Sequence, residues 1–189
     1  MREIIQEAIL ESIRVKEELL KNNLGQIVEI SQQIVESLKK GGKLIIFGNG
    51  GSASDAQHIA AELVGRFKKD RPGLPAISLT VNTSIITALA NDFGYDIIFA
   101  RQIEALADKA DIALGISTSG KAKNVILGLK QAKKMGLATI ALTGGDGGEL
   151  AKQADISLIV SSSQTARIQE SHILIGHIIC ELVEEAGIR

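Results

Sequence analysis

The sequence predicts one α/β domain built on a parallel sheet of five strands with helices on both faces. Three observations carry the prediction: five short, continuously apolar runs, helical periodicity between them, and glycine- or hydroxyl-rich turns after several of the runs. Strands buried on both faces read as unbroken apolar runs, whereas half-exposed strands alternate. The runs are Lys43-Leu44-Ile45-Ile46-Phe47, Ala76-Ile77-Ser78-Leu79, Ile112-Ala113-Leu114-Gly115-Ile116, Ala138-Thr139-Ile140-Ala141-Leu142 and Ile156-Ser157-Leu158-Ile159-Val160. Helical segments are expected at about residues 53–66, 84–107, 121–135 and 147–153, with a long closing helix at about 163–186.

Before the first strand lie two amphipathic helices. Ile27, Ile30, Ile34 and Leu38 recur at helical spacing, and Ile5, Ile9 and Ile13 form an earlier stripe. Asn22-Asn23 and Gly25 mark the break between them. Two such helices exceed what a small sheet needs, and two uses stand open: capping the sheet, or packing against a second subunit. The expected organisation is one domain over residues 1–189, with 1–40 a helical oligomerisation segment and 41–189 the sandwich.

Composition narrows the function. Net charge is −1, the pI is about 6.3 and aromatics make up 3%, with no long basic stretch. Nucleic acid is therefore not expected as the main ligand, because such sites want positive grooves and stacking platforms. The one cysteine, Cys180, has no partner for an intrachain disulfide, which favours a reducing compartment. The start Met1-Arg2-Glu3-Ile4 lacks the basic-then-apolar pattern of a signal peptide. No run reaches the roughly 18–20 apolar residues of a membrane span. A cytoplasmic protein without a membrane segment is expected.

Ligands of open parallel sheets bind beyond the carboxyl ends of the strands, so the loops there come next. Gly48-Asn49-Gly50-Gly51-Ser52-Ala53-Ser54-Asp55 follows the first strand. Its glycines allow close backbone approach and its helix offers free amides, as they would for a plain tight turn with a cap. It is not the G-x-G-x-x-G fingerprint, since position 53 is Ala, and no Lys-Ser/Thr pair makes it a P-loop. Ser117-Thr118-Ser119-Gly120-Lys121 follows the third strand. Three consecutive hydroxyls, a helix start and a lysine exceed what a cap requires and suit a phosphate. Thr143-Gly144-Gly145-Asp146-Gly147-Gly148 after the fourth strand is read equally well as pocket wall or flexible turn.

The chain has three histidines. His58 and Glu62 stand four apart on the helix leaving the first glycine loop, so they share a face. Gln169 and His177, eight apart on the last helix, also fall near one face at about 100° per residue. His172 faces elsewhere.

The segment Gly48 to Phe67 resembles the hallmark of the phosphoheptose isomerase family of SIS domains. Ala90-Asn91-Asp92-Phe93-Gly94, Ile116 to Gly120, Ala141-Leu142-Thr143-Gly144, and Arg167-Ile168-Gln169-Glu170-Ser171-His172 through His177 fit it in the same order. The resemblance implies a SIS-type three-layer sandwich and a homotetramer with active sites at subunit interfaces. It implies conversion of sedoheptulose 7-phosphate to D-glycero-D-manno-heptose 7-phosphate, for lipopolysaccharide or related surface glycans. It implies Glu62 and His177 as the catalytic acid–base pair, and one zinc per subunit held by His58, Glu62, Gln169 and His177. Asn49, Gly50, Gly51, Asn91, Asp92, Ser117, Thr118 and Ser119 match its substrate contacts. Ser52 and Lys121 join these from the loop readings, and Glu62 and Gln169 serve both sets. One departure stands out: Gly120-Lys121-Ala122 replaces a pattern ending in serine, so one hydroxyl is missing from the phosphate loop.

A carboxylate and an imidazole suit proton transfer between adjacent carbons through a cis-enediol(ate), with Glu62 at carbon and His177 as its partner. Two other classes compete. A noncatalytic SIS protein that binds the replication initiator lacks the acidic residue and final histidine present here, and a SIS sensor would need a fused domain. An isomerase of another ketose phosphate is the nearest enzymatic alternative.

Overall fold

The structure is a computed structural model and describes residues 1–188. Two helices, α1 (Arg2–Asn22) and α2 (Leu24–Lys39), precede β1 (Leu44–Gly48). There follow α3 (Gly51–Val64), β2 (Ala76–Ser78), α4 (Thr83–Phe93), α5 (Ile98–Leu106) and β3 (Ile112–Ser117), then α6 (Lys123–Lys134), β4 (Ala138–Gly144), α7 (Gly148–Gln153), β5 (Ile156–Val160) and α8 (Thr165–Glu185). The five strands form one parallel sheet in the order β2-β1-β3-β4-β5.

Alternation along the strands divides the core in two. Leu44 and Ile46 of β1 point to the face covered by α2, α3 and α8, where they join Ile30, Ile34, Ile59, Leu63, Leu114, Ile140, Ile175 and Ile179. Ile45 and Phe47 point to the other face and meet Phe99, Ile103, Ala113, Val125, Leu129 and Leu150. Every residue of β1 and β3 is buried, which is why these strands read as continuous apolar runs.

The helix expected over 84–107 is two helices. Gly94 ends α4 with φ +91°, a one-turn 3₁₀ segment Tyr95–Ile97 follows, and α5 begins at Ile98. Positive φ is open to glycine at little cost, so Gly94 redirects the chain where the apolar periodicity ran on.

The two leading helices divide between the two uses open to them. In α2 the stripe Ile27, Ile30, Ile34 and Leu38 is buried against the sheet. In α1 only Val15 and Leu19 are buried, and Ile5, Ile9 and Ile13 are 60%, 55% and 48% exposed. Capping thus accounts for α2 and leaves the α1 stripe open.

The order places β1 between β2 and β3, with α3 leaving on one face and α6 on the other. The crevice this opens lies beyond the carboxyl ends of β1 and β3, the usual binding place in such sheets. The glycine loop and the hydroxyl loop border it.

Candidate active site

The glycine loop turns into α3 at Gly50, which has φ +56°. Gly51 lies so close to Gln169 of α8 that a Cβ there would collide with the Gln169 amide. Ser52 is buried in the first turn. Asn49 is locked by a reciprocal amide pair: its Nδ2 donates to Asn124 Oδ1 at 2.8 Å, and Asn124 Nδ2 donates back at 2.9 Å. Val125 N–H donates to Asn124 Oδ1 at 2.9 Å, which fixes the orientation of both amides. The Tyr95 hydroxyl donates to Asn49 Oδ1 at 3.3 Å. Asn124 and Tyr95 carry no sequence signal: Asn124 meets Asn49 because β1 and β3 are neighbours, and Tyr95 reaches it from the 3₁₀ segment after α4.

The hydroxyl loop closes on the loop after β4. Gly120 has φ +63°, and a Cβ there would strike the carbonyl of Gly147. Leu150 N–H donates to Gly120 O at 2.9 Å. Thr118, Ser119 and Lys121 line a cavity of about 190 Å³ together with Ser162, Ser163 and Thr165 at the start of α8. Ser117 is buried at the end of β3. Asn91 and Asp92 lie exposed on the last turn of α4, with Asn91 Nδ2 donating to Asp92 Oδ1 at 2.8 Å.

Helices α3 and α8 bring His58, Glu62 and His177 together, with one ligand atom of each within 4.8 Å of the others. His58 Nε2 is 3.1 Å from Glu62 Oε1 and 3.2 Å from His177 Nε2. The two imidazoles meet edge to face at 4.9 Å, and Phe67 stacks on His177 with ring centroids 5.5 Å apart. A single Nε2 carries at most one hydrogen, so His58 cannot donate to both neighbours. Two imidazole nitrogens and a carboxylate oxygen thus converge with more lone pairs than protons. That donor set fits a zinc ion, for which imidazole and carboxylate are ordinary ligands. The Gln169 amide lies against Gly51, at the start of α3. Eight residues of helix separate its Cα from that of His177 by about 12 Å. Gln169 and His177 both lie on the side of α8 that meets α3.

Asp55 was not anticipated as a site neighbour. It lies one turn before His58, and its Oδ2 is buried without a hydrogen-bond partner among the described residues. Burial pushes its carboxyl up to about 6, against the pull of His58. His172 is fully buried. Its Nε2 donates to Thr143 O at 3.1 Å, and burial lowers its pKa to about 4 despite that bond.

Comparison with known proteins fits this geometry. The SIS domain profile matches residues 9–144. The phosphoheptose isomerase of Aquifex aeolicus is 55% identical over 185 residues, covering 98% of this chain and 97% of that protein. That of Thermodesulfovibrio yellowstonii is 52% identical over 181 residues, covering 96% and 90%. The chain belongs to the phosphoheptose isomerase family. A solved structure of this family from Neisseria gonorrhoeae superposes with a TM-score of 0.93 at 41% identity, covering 97% of this chain and 98% of that one. The five-stranded parallel sandwich with two leading helices is therefore the family's fold, and members of the family are isomerases.

Proposed function

We propose that this chain isomerises sedoheptulose 7-phosphate to D-glycero-D-manno-heptose 7-phosphate in the cytoplasm, at the start of heptose supply for surface glycans. The observation that carries the reading is the convergence of Glu62 and His177 from α3 and α8, two helices that both start from the ligand edge of the sheet. The Glu62 carboxylate takes a proton from C1 of the ketose. The electron pair forms the C1–C2 double bond, and the C2 oxygen takes a proton from His177. Glu62 then returns its proton to C2, and the proton on O1 passes back to His177, leaving the aldose. Ser117, Thr118, Ser119 and Lys121 hold the phosphate, so its binding energy positions C1–C2. Asn49, with its amide oriented by Asn124, presents an N–H to the sugar, alongside Gly50, Gly51, Ser52 and Gln169.

His58, Glu62 and His177 would hold zinc, with Gln169 as a fourth ligand. A bound zinc would polarise the substrate carbonyl. The exposed stripe of α1 supports a homotetramer, since an apolar surface of that kind marks an interaction site. Asn91 and Asp92, exposed on α4, complete the pocket of a neighbouring chain in this reading. Among the described residues no helix is long and apolar enough to cross a membrane.

A coupled assay against a panel of ketose phosphates tests the function. Sedoheptulose 7-phosphate should give the highest kcat/KM, and the same preparation should carry one zinc per chain and the mass of four chains by light scattering. Turnover confined to a pentulose or hexulose phosphate would move the assignment to that substrate. Ala122, which removes a hydroxyl from the phosphate loop, makes that comparison worth running. No turnover of any ketose phosphate would end the isomerase reading.

A further inference from the structure

The loop 65–75 between α3 and β2 is tied to the core by Leu74, which is buried, and by Phe67, which packs against it, while Lys68, Lys69, Asp70, Pro72 and Gly73 between them are exposed. Glu184 of α8 anchors the backbone of that exposed stretch. The Glu184 side chain is 2% exposed, and both oxygens are fully engaged. Oε1 accepts from Phe67 N–H and from Arg71 Nε, each at 3.0 Å. Oε2 accepts from the amides of Lys68 at 2.7 Å and Lys69 at 2.8 Å. Three successive amides aimed at one carboxylate form an anion nest. Burial alone would raise the Glu184 pKa; these amides and the Arg71 charge outweigh it and hold it at about 2.

Arg71 reaches the other way. Its Nη1 donates to Leu63 O at 2.8 Å, Pro72 O at 3.0 Å and Gly65 O at 3.3 Å, and its Nη2 donates to Glu62 O at 3.0 Å. Carbonyls in the last turn of a helix have no partner within it, and the guanidinium satisfies them at the end of α3. One of those carbonyls belongs to Glu62 itself. From the backbone of Glu62 the contacts run through Arg71 and Glu184 to the amide of Phe67, and the Phe67 ring stacks on His177. Glu184 lies seven residues after His177, two turns along α8, so the path closes on the helix it started across.

We propose that the Arg71–Glu184 pair is a positioning device for the catalytic cluster: it fixes the end of α3 against α8, sets the approach of Glu62 to His177, and seats Phe67 on the His177 ring. This rests on the isomerase reading for its kinetic consequences, while its effect on metal affinity is independent of the substrate. Site geometry must be held to a fraction of an ångström, and residues behind the ligands supply that support.

The variants are Glu184→Gln, Arg71→Lys and Phe67→Leu, studied at 25 °C after circular dichroism confirms the fold. The readouts are kcat, KM, and zinc affinity by competition with a chromophoric chelator. Glu184→Gln and Arg71→Lys should each lower kcat by about 10-fold with KM within about twofold, and weaken zinc by about 10-fold. Phe67→Leu keeps the Arg71–Glu184 contacts and should lower kcat by about 3-fold with KM within about twofold, because it loosens the imidazole. A purely structural pair would lower the thermal midpoint and leave kcat, KM and zinc affinity at wild-type values in the folded variants; that result overturns the proposal. If Glu184→Gln does not fold, Arg71→Lys decides, since it keeps the charge and loses only the fork of hydrogen bonds. A wild type inactive on every ketose phosphate would refute the isomerase reading alone, and the zinc ratios would still decide the positioning role.

Discussion

Helices α3 and α8 meet at two places, built on opposite rules. At His58, Glu62 and His177, three Lewis-basic atoms are pressed together with fewer protons than contacts, and His58 keeps 47% of its side chain exposed. Two turns further on, at Arg71 and Glu184, every carboxylate oxygen has its donors and the side chains are 10% and 2% exposed. The first place is arranged for what it can bind or transfer, and the second for holding still. A buried charge that is fully hydrogen-bonded stabilises one geometry, whereas lone pairs left facing each other are a cost that a metal or proton can relieve. Glu184 shares α8 with His177, and Arg71, from the loop after α3, binds the end of the helix that carries His58 and Glu62, so the satisfied contact can hold the unsatisfied one in place.

The largest expected effect breaks the comparison at its reactive end. Glu62→Gln and His177→Asn should each lower kcat by at least about 10²-fold, the usual contribution of a general acid–base group. With metal removed by a chelator, the thermal midpoint of either variant should equal or exceed that of the wild type, because one of the crowded lone pairs is gone. Turnover near wild type would remove the residue from the mechanism. A large fall in the chelated midpoint would show that the cluster is structural instead.

At the satisfied end the expected effect is on stability, and its pH dependence has a fixed sign. The Glu184 pKa is depressed from 4.5 to about 2, so its contribution is complete above about pH 4.5 and is lost as pH falls through about 2. Glu184→Gln should be about 2 kcal/mol less stable than the wild type at pH 7, in the range for hydrogen bonds to a charged group. That gap should narrow steadily between pH 4.5 and 2.5 in chemical denaturation. A gap independent of pH across this window would mean that the carboxylate charge does not hold the loop.

Much of this was legible in the sequence, and what was not has a physical cause. The strands were readable because burial on both faces leaves no polar alternation to confuse them, as in Leu44–Gly48. The stripes of α1 and α2 look alike as patterns, yet Ile30 is fully buried and Ile5 is 60% exposed, since a stripe reports that a face needs cover and not what covers it. The pairs Arg71–Glu184, Asn49–Asn124 and Phe67–His177 join residues far apart in the chain, where no local spacing could announce them.

The smallest expected effect sharpens the contrast from inside α3. Asp55 lies on the same helix as the cluster, and its Oδ2 lacks the donors that Glu184 has. Its pKa is accordingly displaced in the opposite direction, from 3.8 to about 6 by burial. A raised pKa means that the folded chain holds this proton more tightly than the unfolded chain, so the group weakens the fold as pH rises from about 3.8 through about 6. Asp55→Asn removes that cost and should stabilise the protein by about 1 kcal/mol at pH 8, a figure reduced for the partial exposure of the group. In a chain of this size that corresponds to roughly 2–4 °C in thermal midpoint. The gain should disappear below about pH 4, where the wild-type carboxyl is protonated in both states. Both the Asp55→Asn and the Glu184→Gln differences therefore close in acid, but with opposite sign and in different windows, the first starting near pH 6 and the second near pH 4.5. An Asp55→Asn protein no more stable than the wild type at pH 8 would show that Oδ2 finds a donor in solution, and the contrast between the two carboxylates would then be one of degree.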